Sequence, residues 1–357
     1  MVERLLLPAD AIRAYTYRGL RRLLGSSLGR FMREREQRVA LLGALGIATA
    51  LALAVGAPLW LLAIGPIVLG VPHVLSDLRY LWVQQDLHRS RRVWLLVVPL
   101  LVVGTVTAEV GWGLAAAALG LFAVPSTTAR RLLGLAVLAP LLAVSMRWPD
   151  PTNLAFAHLH NLIAIGLWWA LWPRRQRWHY VVLALFVVAT IGLSLGAFDH
   201  LVVSAHAAVA GPSTGRPFGY YAYTLAPFAE PIMATRLVIL FAFAQSVHYL
   251  IWLRLIPEDA RARRSPRPFA STYRALREEL GLVVLGLATL GALLRPLGWG
   301  GRLLAFAQQP QHIDNRGVVG GGGALLGSLC CSFGGRGDPR EGRHARWVED
   351  AQYVRRL

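Results

Sequence analysis

Apolar runs close to membrane-spanning length recur along this chain, and short arginine-bearing loops separate them. In hydrocarbon a backbone must satisfy its own hydrogen bonds, and about 20 consecutive apolar residues do so as a helix that crosses the bilayer. Nine candidate spans are read, at 39–56, 59–78, 93–107, 112–124, 132–146, 153–172, 179–198, 232–253 and 280–299. The fold class expected is all-α: a polytopic integral membrane helical bundle of about 8–9 transmembrane helices. Charged residues make up 16% of the chain and apolar ones 55%. A soluble domain carries roughly 25% charged residues, so composition agrees with the runs.

The 37 basic residues are all arginines. A net charge of +18 on a compact basic face would suit nucleic acid. Here the arginines sit in short loops between apolar runs, so no nucleic-acid partner is expected and the lipid bilayer is. Nine arginines precede residue 39, and further groups follow the second span (Arg79, Arg89, Arg91, Arg92), precede the fifth (Arg130, Arg131), and follow the sixth (Arg174, Arg175, Arg177) and the eighth (Arg254 to Arg277). The loops between these groups hold Arg147 alone, Arg216 alone, or none. Rich and poor loops alternate, so the positive-inside rule places the N-terminus in the cytoplasm. The localisation expected is the cell membrane, multi-pass, of bacterial inner-membrane type; the oligomeric state is left open.

Three regions follow. Residues 1–38 form a basic cytoplasmic amphipathic arm, read either as helices lying on anionic headgroups or as a solvated basic segment. Residues 39–299 form the multi-span membrane domain. Residues 300–357 form a Gly/Arg-rich tail read as disordered, or as an out-of-frame terminus. No cleavable signal peptide is expected. The two cysteines, Cys330 and Cys331, are adjacent and give neither a disulfide framework nor a zinc spacing. Trp168, Trp169, Trp172, Trp178 and Trp252 read as an interfacial belt, with His179 as an anchor beside them. Gly192 and Gly196 read as a close-packing pair.

Polar residues inside spans carry the functional signal, because ionisable groups there are rare and costly. His73 and Asp77 lie one turn apart on one face of the second span. His248 lies near the inner end of the eighth, one turn beyond Gln245. At about 1.5 Å of rise per residue, His73, Asp77, Gln245 and His248 share an inner level. His158, His160 and Asn161 fall near the outer end of the sixth span, with Asp199, His200, His206 and Glu230 also outer. A site joining His73 to His158 would have to bridge roughly 10 Å by the same rise. Imidazole is a common metal ligand, and a carboxylate completes oxygen-activating iron sites. Hydrogen-bonded glue between helices explains the same residues without chemistry. Arg236 snorkels outward or pairs with Asp199 or Glu230.

The stretch Gly70-Val71-Pro72-His73-Val74-Leu75-Ser76-Asp77 resembles the Gly-x-Pro-His-Gly-x-x-Asp signature of the Brp/Blh family, membrane β-carotene 15,15'-dioxygenases with histidine-bound iron. The segment Ala244-Gln245-Ser246-Val247-His248-Tyr249-Leu250-Ile251-Trp252 is similar to that family's late histidine-containing helix. The resemblance implies that His73 and His248 are metal ligands, with iron as the cofactor. The family's late helix pairs its histidines four residues apart, whereas Ala244 and Trp252 flank His248 here, so Asp77 or His158 would complete the set.

Two functional classes follow from the residues. One is an iron-dependent oxygenase acting on a lipophilic small-molecule substrate, with His73, His248 and His158 as metal candidates and Asp77 as the catalytic candidate. The other is a transporter or proton-coupled permease using the same groups as a polar relay. Purely structural polar residues are the third reading.

Overall fold

The computed structural model describes residues 7–107, 109–171, 177–202, 218–260 and 269–294. Thirteen α-helices and no strand occur among them. They are α1 (Leu7–Arg33), α2 (Arg35–Gly56), α3 (Pro58–Asp77), α4 (Arg91–Leu96), α5 (Val98–Thr107), α6 (Val110–Ala123), α7 (Thr128–Arg147), α8 (Pro149–Leu171), α9 (Trp178–Leu195), α10 (Phe218–Leu225), α11 (Pro231–Leu250), α12 (Ile256–Asp259) and α13 (Phe269–Leu294). The tail at 300–357, with Cys330 and Cys331, lies outside the described residues, as do Trp172, His206 and Arg216.

Among the described residues, four stretches are long and apolar enough to cross a membrane: Arg35–Gly56, Thr128–Arg147, Trp178–Leu195 and Pro231–Asp259. Pro58–Pro66 and Val68–Val83 meet at a 46° bend and make a fifth if they are one span. Pro66 and Pro72 lie inside α3. A proline ring has no N–H to donate and crowds the carbonyl four residues back. For Pro72 that carbonyl belongs to Val68, where the second segment begins.

The outer surface supports a bilayer as solvent. On α9, Val182, Phe186, Ala189 and Leu193 are buried, while Val181, Leu185, Val188, Ile191 and Leu195 are exposed at helical spacing. A helix in water would carry polar residues on that outer face; here both faces are apolar.

Small residues set the closest helix contacts. Gly43, Ile47, Ala50 and Ala54 form a buried stripe on α2, which packs against α9 and α11. A Cβ at Gly43 would lie 2.9 Å from a methyl of Val182, so only glycine permits this approach. One apolar cluster joins α2, α8, α9 and α11. A second joins α4, α6 and α7 to Phe156 of α8. The eighth helix therefore bridges the two.

Several sequence expectations change. Gly196 lies past the helix and stops it, and a Cβ there would also collide with Arg236 of α11. It adopts φ +84 just past α9, with Gly196 N–H bonded to the Leu193 carbonyl and Ala197 N–H to that of Gly192. That is a Schellman stop, and it ends the helix at Leu195, short of residue 198. Trp168 and Trp252 are buried, as is His179. Trp168 donates to Asp259 at 2.9 Å and packs against His179, so these residues are core and not an interfacial belt. Trp178 is exposed.

Candidate functional site

Two helices bring the site together, and both change their winding next to it. His73 and Asp77 occupy the last turns of α3, and a π-helical turn, Leu78–Val83, follows directly. His248 lies in the last turn of α11, and a second π-helical turn, Ile251–Leu255, follows. Such turns occur often at functional sites, because bonding from i to i+5 shifts the register of the side chains beyond it. The shift also leaves a carbonyl without its usual helical donor. Here Ser76 Oγ donates to the carbonyl of Trp252 at 2.6 Å, which joins α3 to the π turn of the other helix.

His73, Asp77 and His248 are all buried. The Nε2 atoms of His73 and His248 lie 3.1 Å apart, so an N–H of one ring donates to the bare nitrogen of the other. The rings meet edge-on with centroids 4.5 Å apart. Asp77 Oδ2 is 3.3 Å from the same His73 Nε2. Neither Asp77 oxygen accepts a hydrogen bond from any described residue, an expensive condition for a buried carboxyl group. Tyr249 and Trp252 pack on His73, and Gln245 donates to the Tyr249 hydroxyl at 3.1 Å. His73, Asp77 and His248 thus meet, and Gln245 joins them through Tyr249.

The sixth span behaves differently from its expected depth. His160, not His158, faces the site: its ring lies 5.3 Å from that of His248, centroid to centroid. His160 Nδ1 is 3.0 Å from the Phe156 carbonyl. His158 Nε2 is 2.9 Å from the Leu225 carbonyl, and its ring packs on Phe241. The depth estimate failed because α8 begins at Pro149, which moves His160 to mid-helix. The candidate span Pro231–Asp259 also continues through its π turn, so His248 is less close to its C-terminal end than a stop at residue 253 implies.

Charged clasps hold the segments that follow the site residues in sequence. Arg79 makes a two-pronged bond to Glu279, with Nε and Nη2 each 2.6 Å from a carboxylate oxygen. Arg38 and Glu258 are 0% and 1% exposed. Arg38 Nε donates to Glu258 Oε1 at 2.8 Å, and its Nη2 contacts the same oxygen. Arg254 reaches the other oxygen at 3.7 Å. Sequence reasoning placed Arg38 in the surface arm; the only hint of its burial is that an apolar run begins at the next residue. Near the start of α11 Arg236 pairs with Asp199, Nη2 to Oδ2, at 2.6 Å, one of the two partners foreseen.

The donors fit a metal in part. Metal–nitrogen bonds of about 2.1 Å put neighbouring donors about 3.0–3.4 Å apart. The His73–His248 and His73–Asp77 spacings fall in that range, and Asp77 has buried oxygens without donors. Among the described residues, no group of three or more His, Cys, Asp or Glu closes into an arrangement that could hold an ion. No family model, curated protein or solved structure matches the chain. The fold and the buried His/Asp cluster therefore stand on their own geometry.

Proposed function

We propose that this chain is a multi-pass cell-membrane protein of about eight or nine spans with a cytoplasmic N-terminus, acting as an iron-dependent oxygenase on a lipophilic substrate from the bilayer. The span count adds α4–α5, α6, α8 and α13 to the five stretches above. The orientation rests on the arginine alternation.

One observation carries the enzymatic reading: two buried imidazoles meet at Nε2, with a carboxylate 3.3 Å from one of them. Two histidines and one carboxylate form the donor set of non-haem iron oxygenases. The resemblance of 70–77 and 244–252 to the Brp/Blh family points the same way. His73 and His248 would hold the metal, which when bound supplies dioxygen binding and activation. Asp77, 3.3 Å from the same His73 nitrogen, is the third donor. His160 presents a further imidazole beside His248. Tyr249 and Trp252 wall the site with aromatic surface that excludes water. The test is oxygen uptake by the iron-loaded protein in lipid nanodiscs given a long-chain polyene. Uptake abolished by His73→Ala and by His248→Ala supports the reading; none with iron-replete wild-type protein removes it.

A second reading draws on the row His73, His248, His160, whose rings touch in sequence. Such a row can pass protons, as in a proton-coupled permease. Proton-linked uptake by metal-free protein in sealed vesicles would favour it.

A further inference from the structure

We infer that α1 is a docking surface for anionic phospholipid headgroups of the leaflet into which α2 enters. One face of α1 is held by the protein. Asp10 Oδ2 accepts from the backbone N–H of Ala270 at the start of α13, and α1 packs against α2 and α13. The opposite face is open. Ile12, Tyr15 and Leu23 are 66%, 67% and 83% exposed, and with Gly19 they fall at i, i+3, i+7 and i+11, a single stripe on a helix. Arg18 and Arg22 are exposed and lie along one edge of that stripe. The Arg18 guanidinium sits 4.4 Å over the Tyr15 ring.

Position names the occupant. Only Glu34, in an extended conformation, separates α1 from α2, and Arg35–Gly56 is a candidate span. Helix α1 therefore lies where that span meets the membrane boundary. An apolar stripe edged by arginines at that level is the chemistry of a helix lying in the interface, with side chains in the acyl boundary and guanidinium groups on phosphates. The charge selects anionic lipid over zwitterionic, at about a fivefold gain in docking for each arginine near the surface. Gly25, at φ +71, lets the chain turn between this stretch and the approach to α2.

The experiment uses the full chain in nanodiscs of phosphatidylcholine alone or with phosphatidylglycerol, under a trypsin-type protease. The readout is cleavage after Arg21 relative to cleavage after Arg89, a surface arginine that corrects for protease attraction to the disc. The relative rate is expected to fall severalfold in anionic discs and to recover in about 0.5 M salt, where screening shortens to ~5 Å. Ile12→Asp with Leu23→Asp, and separately Arg18→Gln with Arg22→Gln, should abolish the lipid dependence; all four side chains are exposed, so the fold is not at stake. Equal rates in both lipids overturn the inference. Protection that persists in both double variants overturns it as well, because another face would then be responsible.

Discussion

His73 and His248 stand 175 residues apart in the chain, and their Nε2 atoms lie 3.1 Å apart. Neither ring reaches water, and each is the other's partner at that nitrogen. The pair fixes α3 to α11 whether or not an ion joins it. Replacing either histidine by leucine leaves the remaining Nε2 buried without its partner, whereas replacing both removes the polar atoms together. The His73→Leu/His248→Leu double variant should therefore be more stable than the sum of the single losses implies. The coupling should be about 0.6–2 kcal/mol, read from a double-mutant cycle of denaturant unfolding in detergent on metal-free protein.

The buried Arg38–Glu258 pair should break asymmetrically. Glu258→Ala takes the carboxylate from a buried guanidinium that cannot give up its proton, at a loss of about 3–5 kcal/mol. Arg38→Leu leaves Glu258 with Arg254 at 3.7 Å, and a carboxyl can take a proton, so the loss should be smaller. Melting temperatures of the two purified variants decide the order.

Glycine substitutions should split by what the new methyl meets. Gly43→Ala drives its Cβ against Val182, whose branched side chain is stiff, and should cost about 1–3 kcal/mol. Gly166→Ala in α8 meets nothing within 4 Å and should stabilise by about 0.5–1 kcal/mol through backbone entropy. Thermal unfolding of both variants tests the contrast.

Acid should loosen the Asp199–Arg236 contact. The Arg236 guanidinium holds the Asp199 carboxyl below its ordinary value of 3.8. A group lowered in the folded state contributes stability above its unfolded pKa, which is lost as pH falls through the folded one. The wild type should lose melting temperature below about pH 4 more steeply than Asp199→Asn, which has no such charge to lose.

The helical class was legible because apolar runs are long and arginine loops are short. The His73–Asp77 face was legible because one turn of helix fixes it. Matching His248 to it needed only depth along two spans read as running in the same direction. His160 was hidden by a four-residue error in where α8 begins, which at this rise is a whole turn. The π turns were hidden for a different reason: a shift in bonding register is decided by tertiary contacts such as Ser76 with the Trp252 carbonyl. Gly192 and Gly196 show that spacing alone cannot separate a packing pair from a helix stop, because both require a glycine.

We propose that the His73–His248 pair, with Asp77 beside it, holds iron. Metal content by plasma mass spectrometry tests it most directly, on protein reconstituted with ferrous iron without oxygen and freed of unbound metal. The account predicts close to one iron per chain in the wild type. It also predicts loss of that iron in His73→Ala and His248→Ala, with helical circular dichroism unchanged. Correctly folded wild-type protein that retains no metal would contradict it.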